Sequence, residues 1–104
     1  MIYLSGPMSG LADYNYPVFN EVAKSLRDQG HVVVNSAEFE QDTSKVWSHY
    51  MRQDLRRLLD CHTIALLPGW DRSRGATLEL FVATQLGMRV VHLLRIQEGR
   101  WIIT

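Results

Sequence analysis

Three side chains in this sequence are of the types that make and break bonds to a sugar carbon: Glu79, Asp54 and Tyr3. Glu79 closes the stretch SRGATLE (73–79), where a loop carrying Ser73 and Gly75 enters a helix-like pattern. A helix dipole favours an ionised acid near its start, so Glu79 reads equally as a stabilising charge or as a poised nucleophile. Asp54 is the stranger of the two acids. Trp47, Tyr50, Met51 and Leu58 mark an apolar stripe at helical spacing, and Asp54 falls on it. A carboxylate there must be ion-paired, for instance with a neighbouring arginine, or turned toward a polar cavity. Tyr3 stands near the end of an apolar run and is either an ordinary strand aromatic or a hydroxyl within reach of a carboxylate. Two carboxylates and a tyrosine around one small pocket suit glycosyl-bond chemistry. One ionised carboxylate attacks the anomeric carbon, and a second carboxyl of raised pKa helps the departing base.

These residues need elements to position them. MIYLS (1–5), HVVVN (31–35), TIALL (63–67) and RVVHLLR (89–95) are short apolar runs that read as strands, with RWIIT a candidate fifth. HVVVN does not alternate, which suits a strand covered on both sides. Between them lie three helical patterns. The first is capped near Asn15, with Pro17 in its first turn, Val18, Phe19, Val22, Ala23 and Leu26 on one face, and Gly30 at its end. The second runs from about Ser44 to Leu59 and buries Val46, Trp47, Tyr50, Met51, Leu55 and Leu58. The third runs from about Ala76 to Leu86. Alternating strands and helices in one domain (1–104) predict an α/β, Rossmann/flavodoxin-like three-layer sandwich with a parallel sheet of four to five strands. Ligands bind such sheets at the carboxyl ends of the strands, where strand order reverses. The loops after strands one and three, 6–15 and 68–75, are therefore the expected site. Gly6, Ser9 and Gly10 of SGPMSG (5–10), and Gly75 of the later loop, allow backbone N–H groups to approach a ligand. The first loop is also compatible with a plain turn. With neither GxGxxG nor a Walker lysine, no dinucleotide or triphosphate site is indicated.

Composition narrows the classes further. Eleven basic and eleven acidic residues cancel in a chain of 104, which argues against a nucleic-acid binder. Arg52, Arg56, Arg57, Arg72 and Arg74 gather between positions 52 and 74, as a local patch or as solvated surface charge. Cys61 is the single cysteine and reads as a buried structural thiol; no disulfide is possible within the chain. The four histidines lack ligand spacing, so neither metal nor cofactor is expected. No apolar run approaches a membrane span, and the N-terminus shows no signal segment. The expected setting is cytoplasmic, without a membrane partner.

YLSGPMSG and LPGWDRSRGATLE together resemble the DUF4406 family of small phage and bacterial proteins. That family is similar in turn to the nucleoside 2-deoxyribosyltransferases and the 2'-deoxynucleoside 5'-monophosphate N-hydrolases. The resemblance implies that Glu79 is the nucleophile forming a covalent deoxyribosyl intermediate. It implies that Tyr3 orients Glu79, that Asp54 assists the leaving base, and that Ser73 contacts the nucleotide. Gly6 and Gly10 match the family's first glycine-containing loop. The hydrolases hold phosphate with a serine and an arginine where this chain has Pro7 and Ser9; Ser5, Ser9, Arg72 and Arg74 are the available substitutes. In the transferases a neighbouring subunit's C-terminus completes the site. A homodimer or higher homo-oligomer using the tail around Trp101 is the corresponding expectation.

The leading expectation is cleavage or exchange of the N-glycosidic bond of a (deoxy)nucleoside or (deoxy)nucleotide, without a cofactor. The alternative is a non-catalytic nucleotide or nucleotide-sugar sensor on the same crevice. Weaker rivals are an interaction protein using the arginine-rich face and a nucleotide phosphoribohydrolase, whose PGGxGTxxE spacing is absent.

Overall fold

The computed structural model describes residues 1–39 and 45–104. Five strands form one sheet in the order β2-β1-β3-β4-β5. They are β1 (Ile2–Ser5), β2 (Val33–Val34), β3 (Thr63–Leu66), β4 (Arg89–Gln97) and β5 (Arg100–Ile103). Three helices, α1 (Tyr16–Asp28), α2 (Trp47–Leu59) and α3 (Arg74–Gln85), fill the connections between β1 and β4. The result is a mixed α/β domain whose sheet curls into a half-barrel. Among the described residues no helix is long and apolar enough to cross a membrane.

β1 to β4 run parallel, but β5 returns antiparallel to β4, which corrects the all-parallel expectation. The reason is the connection. Only Glu98 and Gly99 separate the two strands, with Gly99 at φ 74°, and a two-residue link makes a hairpin. A parallel return needs a crossover of about a dozen residues or more. HVVVN is corrected as well. Only Val33 and Val34 pair, at the sheet edge, and Val32 is 65% exposed rather than covered on both sides.

Alternation along β1 divides the interior. Ile2 and Leu4 point into one core with Phe19, Val22, Ala23 and Leu26 of α1, joined by Ala65, Leu67, Val91, Leu93 and Trp101. Each fully buried apolar side chain of this kind contributes about 1.5–3 kcal/mol. Tyr3 points the other way, with Ile64 and Leu66 of β3, Leu58 of α2 and Ala83 of α3. Cys61 is buried in this second cluster, and burial pushes its thiol pKa up, as expected of a structural residue. The β1/β3 junction, where strand order reverses, therefore opens between α1, α2 and α3.

The helix ends show how local chemistry fixes this geometry. α3 begins two residues earlier than the expected Ala76 because Ser73 caps it, its Oγ accepting the Ala76 N–H at 3.1 Å. Asn15 stands at the N-cap of α1 as expected, but its side chain does not cap. Its amide instead donates to the Pro7 carbonyl at 2.9 Å and ties the first loop to the helix start. Asp13, Tyr14 and Asn15 all hold positive φ, a conformation that costs non-glycine residues about 1 kcal/mol each. The expected start of the second helix at Ser44 lies outside the described residues. Val46 is 70% exposed, not part of the buried stripe, because it precedes the first turn of α2.

Candidate active site

A cavity of about 290 Å³ lies over the β1/β3 junction. The size is that of a small-molecule site. Its floor is Tyr3, Leu4 and Gly6, and its walls come from the first loop, the start of α1, α2 and the first turns of α3. The apolar stripe of α2 divides here. Leu55 and Leu58 pack toward the second core, whereas Trp47, Tyr50, Met51 and Asp54 line the cavity. Tyr14, Tyr16 and Phe19 add an aromatic wall opposite.

Glu79 is 5% exposed and, among the described residues, is the one charged residue in the set of buried polar side chains. It lies on the inner face of α3 between Ala76 and Ala83, three and four residues away. Both carboxylate oxygens are held. Ser5 Oγ donates to Oε1 at 2.7 Å, and the Tyr3 hydroxyl donates to Oε2. Tyr3 and Ser5 share a face of β1 because they are two residues apart on a strand. Glu79 is the sixth residue of α3, beyond the first turn where the dipole acts. The expected dipole-favoured ionisation is therefore corrected. Burial raises the pKa to about 7, with Asp54 adding to the rise and the Tyr3 and Ser5 hydrogen bonds opposing it. The Tyr3 phenol is pushed well above its usual range by burial, then by the negative charges of Glu79 and Asp54.

Asp54 combines both arrangements the sequence left open. It lines the cavity, and it accepts a hydrogen bond from Arg57 Nη1 at 2.9 Å. Burial raises its pKa, and the hydroxyl of Ser36 and the Arg57 charge pull it back. Arg57 in turn stacks over the Phe39 ring at 3.9 Å.

The two glycine-bearing loops meet the cavity unequally. Gly6 lies where a Cβ would come within 2.7 Å of Leu67 Cβ, so any side chain would push the first loop off β3. Gly75 faces Met51 Sδ at 3.2 Å from its notional Cβ, which lets α3 approach α2 closely. Ser9, Ser73 and Gly75 border both the main cavity and an adjoining hollow flanked by Arg72 and Arg74. Arg74 lies 3.7 Å over the Trp47 ring. Gly10 is not among the cavity-lining residues. Its φ of 82° serves a turn. Trp101 is held within its own chain. It is buried against α1, its backbone N–H donating to Ser25 Oγ at 2.8 Å and its indole N–H to Glu21 Oε1 at 3.1 Å.

Ser36 is the residue the sequence reading missed. It sits in a 3-10 turn (Ser36–Glu38) after β2, fully buried, with its Oγ 3.1 Å from the Tyr3 hydroxyl. Asn35 builds that turn by accepting the Ala37 N–H at 3.1 Å, while its amide donates to Asn20 at 3.0 Å. The signal was legible: Asn-Ser at the carboxyl end of a strand is a turn start on the ligand-binding edge. Ser5 was available too, but as a phosphate contact rather than as the hydroxyl holding Glu79.

An α/β domain with a buried, hydrogen-bonded glutamate facing an aspartate across an aromatic-walled cavity is thus the class that fold and site define. Within that class the chain belongs to the DUF4406 family, a domain of unknown function, whose match covers residues 1–92. No curated protein matches the chain.

Proposed function

We propose that this protein cleaves or exchanges the N-glycosidic bond of a deoxynucleoside or deoxynucleotide on a Rossmann/flavodoxin-like three-layer domain. The observation that carries the reading is the Glu79 carboxylate, oriented through both oxygens by Tyr3 and Ser5 at the floor of a cavity that Asp54 also lines. In the ionised form, Glu79 forms a bond to C1' as the bond from C1' to the base nitrogen breaks. Asp54, its pKa raised by burial, delivers a proton to the departing base. Water or a second base then attacks C1' and releases Glu79. Asp54 takes up the proton of the attacking group, which restores the starting state. Tyr14, Tyr16, Trp47 and Tyr50 offer flat apolar faces on which a base can stack.

The test is incubation with deoxy- and ribonucleosides and their monophosphates, with and without a second free base, followed by chromatography of released or exchanged base. Turnover lost in Glu79→Ala supports the reading. Turnover that survives the substitution, or none on any substrate, overturns it. Binding without turnover assigns the cavity to a nucleotide sensor.

A further inference from the structure

A second hollow, of about 270 Å³, adjoins the cavity, and Met8, Ser9, Trp47, Ser73 and Gly75 border both. Charge is divided between the two spaces. Asp54 and Glu79 line the main cavity. Arg72 and Arg74 line only the hollow, and among the described residues that border it there is no acid. We propose that this hollow is an anion subsite in which Arg72 and Arg74 hold a phosphate of the substrate, so that the substrate is a deoxynucleoside monophosphate rather than a free deoxynucleoside.

The two arginines are placed but not paired. Arg27 holds Glu38, Arg57 holds Asp54 and Arg95 holds Glu21, whereas among the described residues Arg72 and Arg74 hold no carboxylate. Uncharged partners position their heads instead. Arg74 lies 3.7 Å over the Trp47 ring. Arg72 Nη2 lies 3.1 Å from the point that a Cβ on Gly69 would occupy, and Pro7 Cγ lies 3.3 Å from the same point. The missing side chain of Gly69 thus makes room for a guanidinium beside the first loop. A guanidinium held this way keeps its N–H donors for a ligand, and its planar fork matches two oxygens of a phosphate. Ser73 adds a hydroxyl, because its Oγ accepts the Ala76 N–H and its own proton is left to donate. Arg52, Arg56, Arg89 and Arg100 are exposed as Arg72 and Arg74 are, but none of them borders the cavity or the hollow.

Spacing and charge together set the pose. Glu79 follows Arg74 by five residues on α3, a rise of about 7.5 Å along the helix. A sugar with its 5' ester spans a similar length, so a nucleotide whose C1' meets Glu79 brings its phosphate beside Arg74. The reverse pose fails on charge. A phosphate on the cavity floor would face Asp54 and Glu79, and like charges held together away from water repel strongly. Lys45 borders the main cavity but not the hollow, so the arginines are the cations that the phosphate meets there. The choice of a nucleotide as substrate rests on the function proposed above. The anion subsite itself does not.

The test reads binding apart from turnover. The full chain is titrated calorimetrically with deoxynucleosides, their 5'-monophosphates and inorganic phosphate, and the Glu79→Gln chain is titrated in parallel so that no heat of reaction enters. A monophosphate should bind at least about a hundredfold more tightly than its nucleoside, and added salt should weaken the monophosphate alone. Arg72→Gln combined with Arg74→Gln keeps much of each stem but removes both charges. It should cut the preference at least about tenfold, with the nucleoside as internal reference. A preference that survives the double substitution overturns the subsite, as does equal affinity for nucleosides and monophosphates, or no binding of any monophosphate. Inorganic phosphate that binds as tightly as the monophosphate overturns the assignment to the substrate. A preference lost with the arginines in a chain that cleaves nothing upholds the subsite and refutes only the glycosidic function. Cleavage of nucleosides and monophosphates at equal kcat/KM, unmoved by the arginine substitutions, refutes the subsite and leaves that function standing.

Discussion

The two faces of β1 come from alternate residues of one four-residue strand and follow opposite rules. Ile2 and Leu4 enter an apolar core under α1, where the polar groups serve structure: Ser25 and Glu21 hold Trp101 in place, and Glu21 also ties down Arg95 and the Gly99 N–H. Tyr3 and Ser5 enter the face under α2 and α3, where two carboxylates are held partly or wholly away from water. The first face spends its burial on stability. The second gives up stability to perturb two acids, the pattern of functional sites. If that contrast is real, substitutions on the two faces should move different observables.

The largest effect is expected at Glu79. Glu79→Gln preserves size and some hydrogen bonding but cannot bond to C1', and turnover of any nucleoside substrate should fall at least about a thousandfold in a steady-state assay. The same substitution should leave the fold intact, as measured by circular dichroism.

Leu26→Ala, on the opposite face, should do the reverse. Removing a fully buried leucine costs about 2–5 kcal/mol in urea unfolding. Turnover per folded molecule should hardly change. A Leu26→Ala chain as stable as the native one would remove the basis for calling that face structural.

pH sharpens the comparison. The Glu79 pKa is raised to about 7, above its unfolded value near 4.5, so between those values the folded state holds the proton more tightly. This contribution to stability is fully present below the unfolded pKa and is lost as pH rises through about 7. The loss should amount to about 3 kcal/mol by pH 8, and Glu79→Gln should abolish it in urea titrations at several pH values. Activity should run the other way, with an acid limb near pH 7 as Glu79 ionises.

The smallest effect of the set belongs to Asp54→Asn, which removes the proposed assisting carboxyl but keeps the proposed nucleophile. Turnover should fall about a hundredfold for substrates with a poor leaving base, and less for activated leaving groups. Equal losses for both would place Asp54 in binding rather than in proton delivery.

Much of this arrangement was legible in the chain. Helical periodicity located three helices, and short apolar runs located the strands β1, β3 and β4, to within a few residues, because burial imposes those patterns directly. Asp54 stood out because it broke such a pattern, and Glu79 because it closed the loop-to-helix stretch SRGATLE after the third strand. The reading failed where the answer was not local. β2 was overestimated because three valines in a row look like a covered strand wherever they lie in a sheet. β5 was placed in a parallel sheet because strand direction follows from the connection, not from the strand's own residues.

What the sequence by itself determined was the set of elements and the edge of the sheet at which its reactive groups collect. Side-chain periodicity and turn chemistry act over a few residues, so that much is written locally. What only the tertiary structure decided was the wiring. Tyr3 meets Ser36 across 33 positions and Glu79 across 76, and the Glu79 pKa follows from how completely folding removes it from water. Such pairings arise when the whole chain closes around the β1/β3 junction, because desolvation and hydrogen-bond partners belong to a place in space rather than to a stretch of chain.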